Sequence, residues 1–454
     1  MKGRRGDFKD KRQKSKHSED PERSVGEKDK RKKLMFKKLI LIAISLTLYT
    51  TFISAQVRVR LFSLQSPESV VFSVNEGKYE LNAFSGDTLI VTKGEPVIIS
   101  RFNGKLAVKV RNAEGFVCDS VKLAGKTGYD SFSLRINGNT PIRQFYSGDL
   151  KCFPDLGTIV LINNIDIERY IAGVVKAEGG SGKNIEYFKT QAVIARTYMY
   201  KYFDKHLTDR YNVCDNTHCQ AFSGLSPDTL INRAALETQG LVILDKDSTL
   251  IISAFHSNCG GETSSSEDVW LTSQPYLKSV VDPYCLSSRN GKWEKSMSLN
   301  DWLEYIKKSG YNGSTDDPTA LSFIQKSRSV DYKTGSFAMP LRTIRTDMNL
   351  RSTFFSVVSE GDSVILKGKG YGHGVGLCQE GAMVMAANGF NYRQIIDFYY
   401  FGVLITDIKN AVVLPNFSPP NHPHIGGNER EGINPPIWSY EREEFNLPFG
   451  GHGG

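Results

Sequence analysis

Once its first 38 residues are set aside, the sequence has no excess of charge of either sign. Those 38 residues hold 16 Lys/Arg against 7 Asp/Glu, the remainder holds 41 against 42, and the formal net charge of +8 is therefore N-terminal. A broad basic surface over the rest of the chain is excluded, and no nucleic-acid partner is expected. Long hydrophobic runs are also scarce. One uncharged, mostly apolar run of 17 residues, 39–55, falls short of the roughly 20 that span a bilayer as a helix. The seven cysteines make an odd number, so a disulfide framework cannot take all of them. No internal repeat is visible. No Lys-Ser/Thr follows the glycines of "GKGYGHGVGLCQ", which makes a phosphate-cradling loop a poor reading of them.

What is present divides the chain by composition. Residues 1–34 form a polar, basic arm with little to bury, the signature of disorder. Residues 35–55 read as a secretory signal peptide cleaved near Ala55, or as an N-terminal membrane anchor with the basic arm inside. Either reading makes residues from 56 onward exported, to the periplasm or cell envelope, with the anchor a candidate tie to the inner membrane. Residues 56–140 carry short runs rich in β-branched residues, such as "VVFSV", "PVIIS" and "LAVKV", separated by turn residues. They are expected to be a β-rich accessory region without chemistry. Residues 141–410 mix strand and helix patterns, giving an α+β chain overall. Residues 411–454 are rich in Pro and Gly without a period and are expected to be a disordered tail.

Within the mixed region, Ile167, Tyr170, Ile171, Val174 and Val175 recur at helical spacing. Asp166 is placed to cap that helix, and Gly179 or Gly180 to stop it. Phe188, Ala192, Ala195 and Met199 mark a second helix. "GLVIL" and "TLIISAFHS" read as strands. Residues 290–340 carry little pattern beyond a short helix around "NDWLEYIKK".

Three groups of residues could carry chemistry. Glu178 closes the 167–177 helix pattern, where the negative end of the macrodipole disfavours a carboxylate and should raise its pKa. A general acid needs a carboxyl that keeps its proton near neutral pH. "YNVCDNTHCQAF" places Cys214, His218 and Cys219 within six residues, with His206 or Cys259 as a fourth donor. Those residue types suit zinc, while a Cys214–Cys219 disulfide is the alternative in an exported protein. In the glycine-rich stretch, His373 is the side chain able to contact a substrate.

Taken in order, "YIAGVVKAE…FKTQAVIARTYMY", "YNVCDNTHCQAFSG", "AFHSNCGGETSSSEDVW" and "GYGHGVGLCQEGAMVMAANGFNYRQIIDFYY" resemble the motifs of the stage II sporulation protein D and amidase-enhancer LytB family. The resemblance covers residues 161–404. It implies a SpoIID-like catalytic domain, a peptidoglycan lytic transglycosylase that cleaves between N-acetylmuramic acid and N-acetylglucosamine and leaves a 1,6-anhydro end. It implies Glu178 as acid/base, Arg196 and Tyr198 near the substrate, and zinc held by Cys214, His218, Cys219 and His206. His373 and Gln379 become candidates for hydrogen bonds to the sugars. Glycan strands are the implied partner. A non-catalytic wall-binding protein that modulates an amidase or a wall-remodelling complex is the second reading. The chain departs from the family pattern in "GGSGKN" after Glu178. It departs again in "CQEGA", where Cys378 and Glu380 replace Ser and Trp.

Overall fold

The computed structural model describes residues 55–83, 88–111, 113–136, 142–180, 182–313 and 321–412. The basic arm, the run up to Ser54 and the tail beyond Val412 lie outside the described residues. Among the described residues no helix is long and apolar enough to cross a membrane.

Alternation of buried and outward residues builds the first half of the chain. In β2 (Ser69–Glu76), Val70, Phe72 and Val74 point inward while their neighbours do not, the period-two pattern of a half-buried strand. The same rule makes β1 (Gln56–Leu61), β3 (Tyr79–Ala83), β4 (Thr88–Val91), β5 (Val97–Phe102), β6 (Lys105–Val110), β7 (Phe116–Cys118), β8 (Val121–Gly125) and β9 (Ser131–Ile136). Three more strands follow: β10 (Ile142–Ser147), β11 (Asp149–Asp155) and β12 (Thr158–Asp166). With β13 (Val213–Cys214) they form a seven-stranded sheet ordered β13-β1-β12-β11-β8-β3-β4 and a six-stranded sheet ordered β10-β9-β2-β5-β6-β7. Aromatic rings join the two sheets: Tyr79 meets Phe72 edge-on at 5.2 Å and Phe132 at 5.6 Å between centroids. Residue 140 falls between β9 and β10, which pair as neighbours, so both sheets draw strands from either side of it.

The helices follow directly. Asp166 accepts a hydrogen bond from the Arg169 amide and starts α1 (Ile167–Glu178), whose five stripe residues are all buried. Gly180 takes a left-handed φ of 62° just after the helix ends. Asn184 caps α2 (Ile185–Lys201), which packs beside α1 and α3 (Thr229–Glu237). Beyond lie β14 (Leu241–Leu244), β15 (Phe255–His256), α4 (Ser266–Trp270), β16 (Trp293–Ser298), α5 (Leu299–Lys308), β17 (Asp331–Thr334), β18 (Phe337–Pro340), α6 (Leu341–Asp347), β19 (Phe355–Glu360) and β20 (Ser363–Gly368). The chain continues through β21 (Leu377–Cys378), α7 (Gln379–Ala387), α8 (Tyr392–Tyr399) and β22 (Leu404–Asp407). The α+β expectation holds, with a strand-rich N-terminal region.

Two expectations change. "TLIISAFHS" forms a strand only at Phe255–His256. Its buried backbone is satisfied piecemeal instead: the Ile251 amide bonds Ile243, the Ile252 amide bonds the Tyr276 hydroxyl, and the Ala254 carbonyl accepts from Tyr400. Residues 290–313 and 321–340, which carried little pattern beyond the short helix seen here as α5, contribute to a second core. Trp293, Trp302, Ile306, Tyr332 and Leu341 pack there with Phe355, Val357 and Leu366 from β19 and β20.

Candidate functional site

α1 is built so that another segment can lie against it. A Cβ at Gly173 would sit 2.4 Å from the Phe222 ring and 2.6 Å from the Gly224 carbonyl oxygen. A glycine inside a helix costs about 1 kcal/mol relative to alanine, and here its missing side chain admits the loop after β13. Lys176 in the last turn of α1 donates to the Ser223 and Leu225 carbonyls at 3.1 and 3.2 Å, tying the same loop down.

That loop meets Glu178. The Ala221 amide donates to Glu178 Oε1 at 2.6 Å. Glu178 keeps some contact with solvent, but its carboxyl is enclosed by protein. Burial pushes its pKa up to about 7, opposed by the Ala221 hydrogen bond. The sequence pointed to the helix end as the cause of such a rise; the structure assigns it first to burial. Tyr198 and Tyr170 lie close enough to feel the charges of Glu178, Cys214 and Cys219. The Tyr170 hydroxyl donates to Gln220 Oε1 at 3.4 Å. Gln379 donates from Nε2 to the Glu178 backbone carbonyl at 2.8 Å and lies 3.4 Å from Gln191 Oε1. Gln379 therefore stands beside Glu178. Gln191 and Gln220, not singled out by sequence, are buried with their Nε2 groups among the unpaired buried atoms. Their place within the α2 and Cys/His motifs was the available signal.

Two residues before Ala221, the chain reaches the Cys/His group. Donor atoms of His206, Cys214, His218 and Cys219 all lie within 4.8 Å of one another. Cys214 Sγ is 3.6 Å and Cys219 Sγ 3.8 Å from His218 Nδ1, and Cys219 Sγ is 3.4 Å from His206 Nε2. His206 is oriented from behind: its Nδ1 lies 3.2 Å from Asp209 Oδ2 and its ring stacks on Tyr211 at 4.6 Å. A carboxylate behind a histidine is the usual support for a metal ligand. Two thiols and two imidazoles at this spacing fit one tetrahedral ion. Cys214 and Cys219 are unbonded in this structure, as are the other five cysteines. Cys259, the other candidate fourth donor, sits elsewhere, with Asp282, Cys285 and Cys378.

The β-rich region supports this loop. β1 pairs in parallel with β13, placing Arg60 opposite Cys214. Asp215 accepts from the Ser63 amide at 3.1 Å, and Asn216 donates to Ser63 Oγ at 2.6 Å. Residues 56–63 are thus part of the scaffold that holds the Cys/His group.

Two predicted contacts are redirected. Arg196 is fully buried, and its guanidinium forms a two-pronged pair with Glu168. It also donates to the Leu241 and Ala235 carbonyls at 3.1 Å each. With its donors spent on α1, α3 and β14, it cannot reach a substrate. His373 is also committed. The Val375 amide donates to its Nδ1 at 3.0 Å, which puts the ring proton on Nε2, 2.9 Å from the Phe255 carbonyl. It organises the glycine-rich turn. Glu380 accepts from Asn258 Nδ2 and Asn290 Nδ2 at 2.6 Å each and so ties α7 to two loops.

The family model described as Stage II sporulation protein matches residues 155–244, the stretch holding α1, α2, Glu178 and the Cys/His group. The chain is 28% identical over 365 residues to an uncharacterized protein of Brachyspira hyodysenteriae, covering 78% of this chain and 94% of that protein. It is 28% identical over 289 residues to the amidase enhancer of Bacillus subtilis, covering 52% of this chain and 40% of that protein. It is 28% identical over 270 residues to the stage II sporulation protein D of Bacillus subtilis, covering 54% of this chain and 76% of that protein. The chain thus spans less than half the length of the amidase enhancer. The resemblance read from the four motifs is borne out.

Proposed function

We propose that this chain, which carries a Stage II sporulation protein domain over residues 155–244, acts on the cell wall as an exported peptidoglycan lytic transglycosylase with Glu178 as its single acid/base. The observation that carries this reading is the enclosed Glu178 carboxyl, held by the Ala221 amide with its pKa raised to about 7. Such a group keeps its proton in a substantial fraction of molecules at neutral pH and in most of them at mildly acid pH, as a general acid must.

The chemistry needs one carboxyl. Glu178 gives its proton to the glycosidic oxygen as the bond from that oxygen to C1 of the muramic sugar breaks. The sugar's own C6 oxygen then bonds to C1, and its proton returns to Glu178. The result is a 1,6-anhydro ring, with no water consumed. Because the attacking group belongs to the substrate, orientation replaces a held water, and the second carboxylate that a hydrolase uses is not required. Gln379, half-buried beside Glu178, would be the first candidate to orient sugar groups, with Tyr198 and Gln191 buried near it.

His206, Cys214, His218 and Cys219 would hold one zinc ion. A site closed by four protein ligands is structural, and this one would fix the turn that presents the Ala221 amide to Glu178. The substrate lies outside the cytoplasm, so the reading requires export, with residues 35–55 as signal peptide or anchor.

Incubating the protein with peptidoglycan, and with strands stripped of stem peptides, should release muropeptides ending in anhydro sugars. The expected pH profile follows from Glu178. With its pKa raised to about 7, the acid is protonated below that value and lost above it. Thus kcat/KM should hold at mildly acid pH and fall as pH rises through about 7. A profile flat from pH ~6 to ~9 would remove Glu178 from the acid role.

The amidase-enhancer match favours a second reading, a wall-binding protein that modulates an amidase. Co-sedimentation with peptidoglycan without any new sugar ends, anhydro or reducing, would select it.

A further inference from the structure

We propose that Cys259, Asp282, Cys285 and Cys378 form a second metal site that takes one zinc ion. The Sγ atoms of the three cysteines and a carboxylate oxygen of Asp282 lie within 4.8 Å of one another, and all four residues are buried. Cys259 Sγ is 3.3 Å from Cys285 Sγ and 3.2 Å from Asp282 Oδ2. Zn–S bonds of about 2.3 Å in a tetrahedron put sulfurs roughly 3.8 Å apart, so these edges need to open by only about half an ångström. The same spacing is too tight for an iron–sulfur cluster, whose cysteines stand off a core several atoms wide.

The surroundings are arranged as metal ligands require. Cys378 Sγ accepts from the Cys259 amide at 3.3 Å and the Gly381 amide at 3.4 Å, which orients the sulfur. Asp282 Oδ2 accepts from the buried Tyr399 hydroxyl at 2.9 Å, and its other oxygen accepts from the Tyr284 amide at 2.8 Å. A Cβ at Gly381 would sit 2.4 Å from Asp282 Oδ2 and 2.3 Å from the Tyr399 hydroxyl, so only glycine lets this pair close against α7. Four buried groups that can each carry negative charge need either protons or a cation, and one ion satisfies all four together. A Cys259–Cys285 disulfide would occupy two of the sulfurs and leave Cys378 and Asp282 without it. The site joins β21 and the start of α7 to the 259–261 turn and the 282–285 loop, segments up to 119 residues apart. It would pin the start of the helix that carries Gln379.

The inference is independent of the glycan chemistry and of the first Cys/His group. The full chain, purified under reducing conditions with zinc supplied, is analysed for zinc per chain. Wild type should hold two ions, Cys285→Ser/Cys378→Ser one, and Cys214→Ser/His218→Ala one. Wild type holding one ion that is lost in Cys285→Ser/Cys378→Ser would support this site and remove the first. Should Cys285→Ser/Cys378→Ser fail to fold, cobalt substitution of Cys214→Ser/His218→Ala still decides. It should show thiolate-to-cobalt charge transfer with tetrahedral visible bands. Absence of those bands, an ion count unchanged by Cys285→Ser/Cys378→Ser, or a Cys259–Cys285 disulfide in zinc-supplied protein overturns the proposal.

Discussion

Glu178→Gln should abolish release of anhydro-ended muropeptides, a loss of at least about 10²–10⁴-fold, while the fold is kept. The amide side chain matches the carboxyl in size and can still accept the Ala221 hydrogen bond, but it has no proton to give or take at neutral pH. Stability should move the other way. A carboxyl whose folded pKa is raised adds no penalty below the unfolded value near 4.5. The penalty grows as pH rises from there to about 7 and is complete above it. Glu178→Gln removes it, so at pH ~8 the variant should melt at or above the wild-type temperature. A variant that loses activity only because it unfolds would not support the assignment; melting curves beside activity assays separate the two.

Arg196→Ala should instead act through stability, costing about 3–5 kcal/mol, because it leaves Glu168 buried without its cation. Urea denaturation should show the loss as a lower midpoint. Activity of the molecules that remain folded should be close to wild type. Glu168→Leu/Arg196→Met should recover part of the stability, since replacing both partners removes the unpaired charge. It does not restore donors to the Leu241 and Ala235 carbonyls. A fully stable Arg196→Ala with impaired turnover would return this arginine to the substrate.

The contrast between Glu178 and Arg196 shows what local pattern conveys. Helical periodicity and the glycines that follow are enough to put Glu178 at a helix end. Which way Arg196 points depends on Glu168, 28 residues earlier on a different helix, and periodicity carries no such information. The same holds for the cysteines. Cys214, His218 and Cys219 are neighbours in sequence and were legible as a donor group. Cys259, Asp282, Cys285 and Cys378 meet only because β15 and β21 pair in parallel and bring residues 119 apart together. The 290–340 stretch was mostly opaque for a related reason: beyond α5, its apolar residues serve β16, whose partner β20 comes later in the chain, and the short β17–β18 hairpin. The β-rich N-terminal strands were legible as strands. Their support of the Cys214 loop through Arg60 and Ser63 was not, since a strand's edge partner is a tertiary choice.

The central claim is that Glu178 drives an intramolecular attack in which no water enters the product. Digesting peptidoglycan in water enriched in heavy oxygen, with wild type and Glu178→Gln side by side, tests it most directly by mass spectrometry of the released ends. The account predicts anhydro ends without heavy oxygen from wild type and none from Glu178→Gln. Reducing ends carrying heavy oxygen, or anhydro ends formed equally by Glu178→Gln, would contradict it.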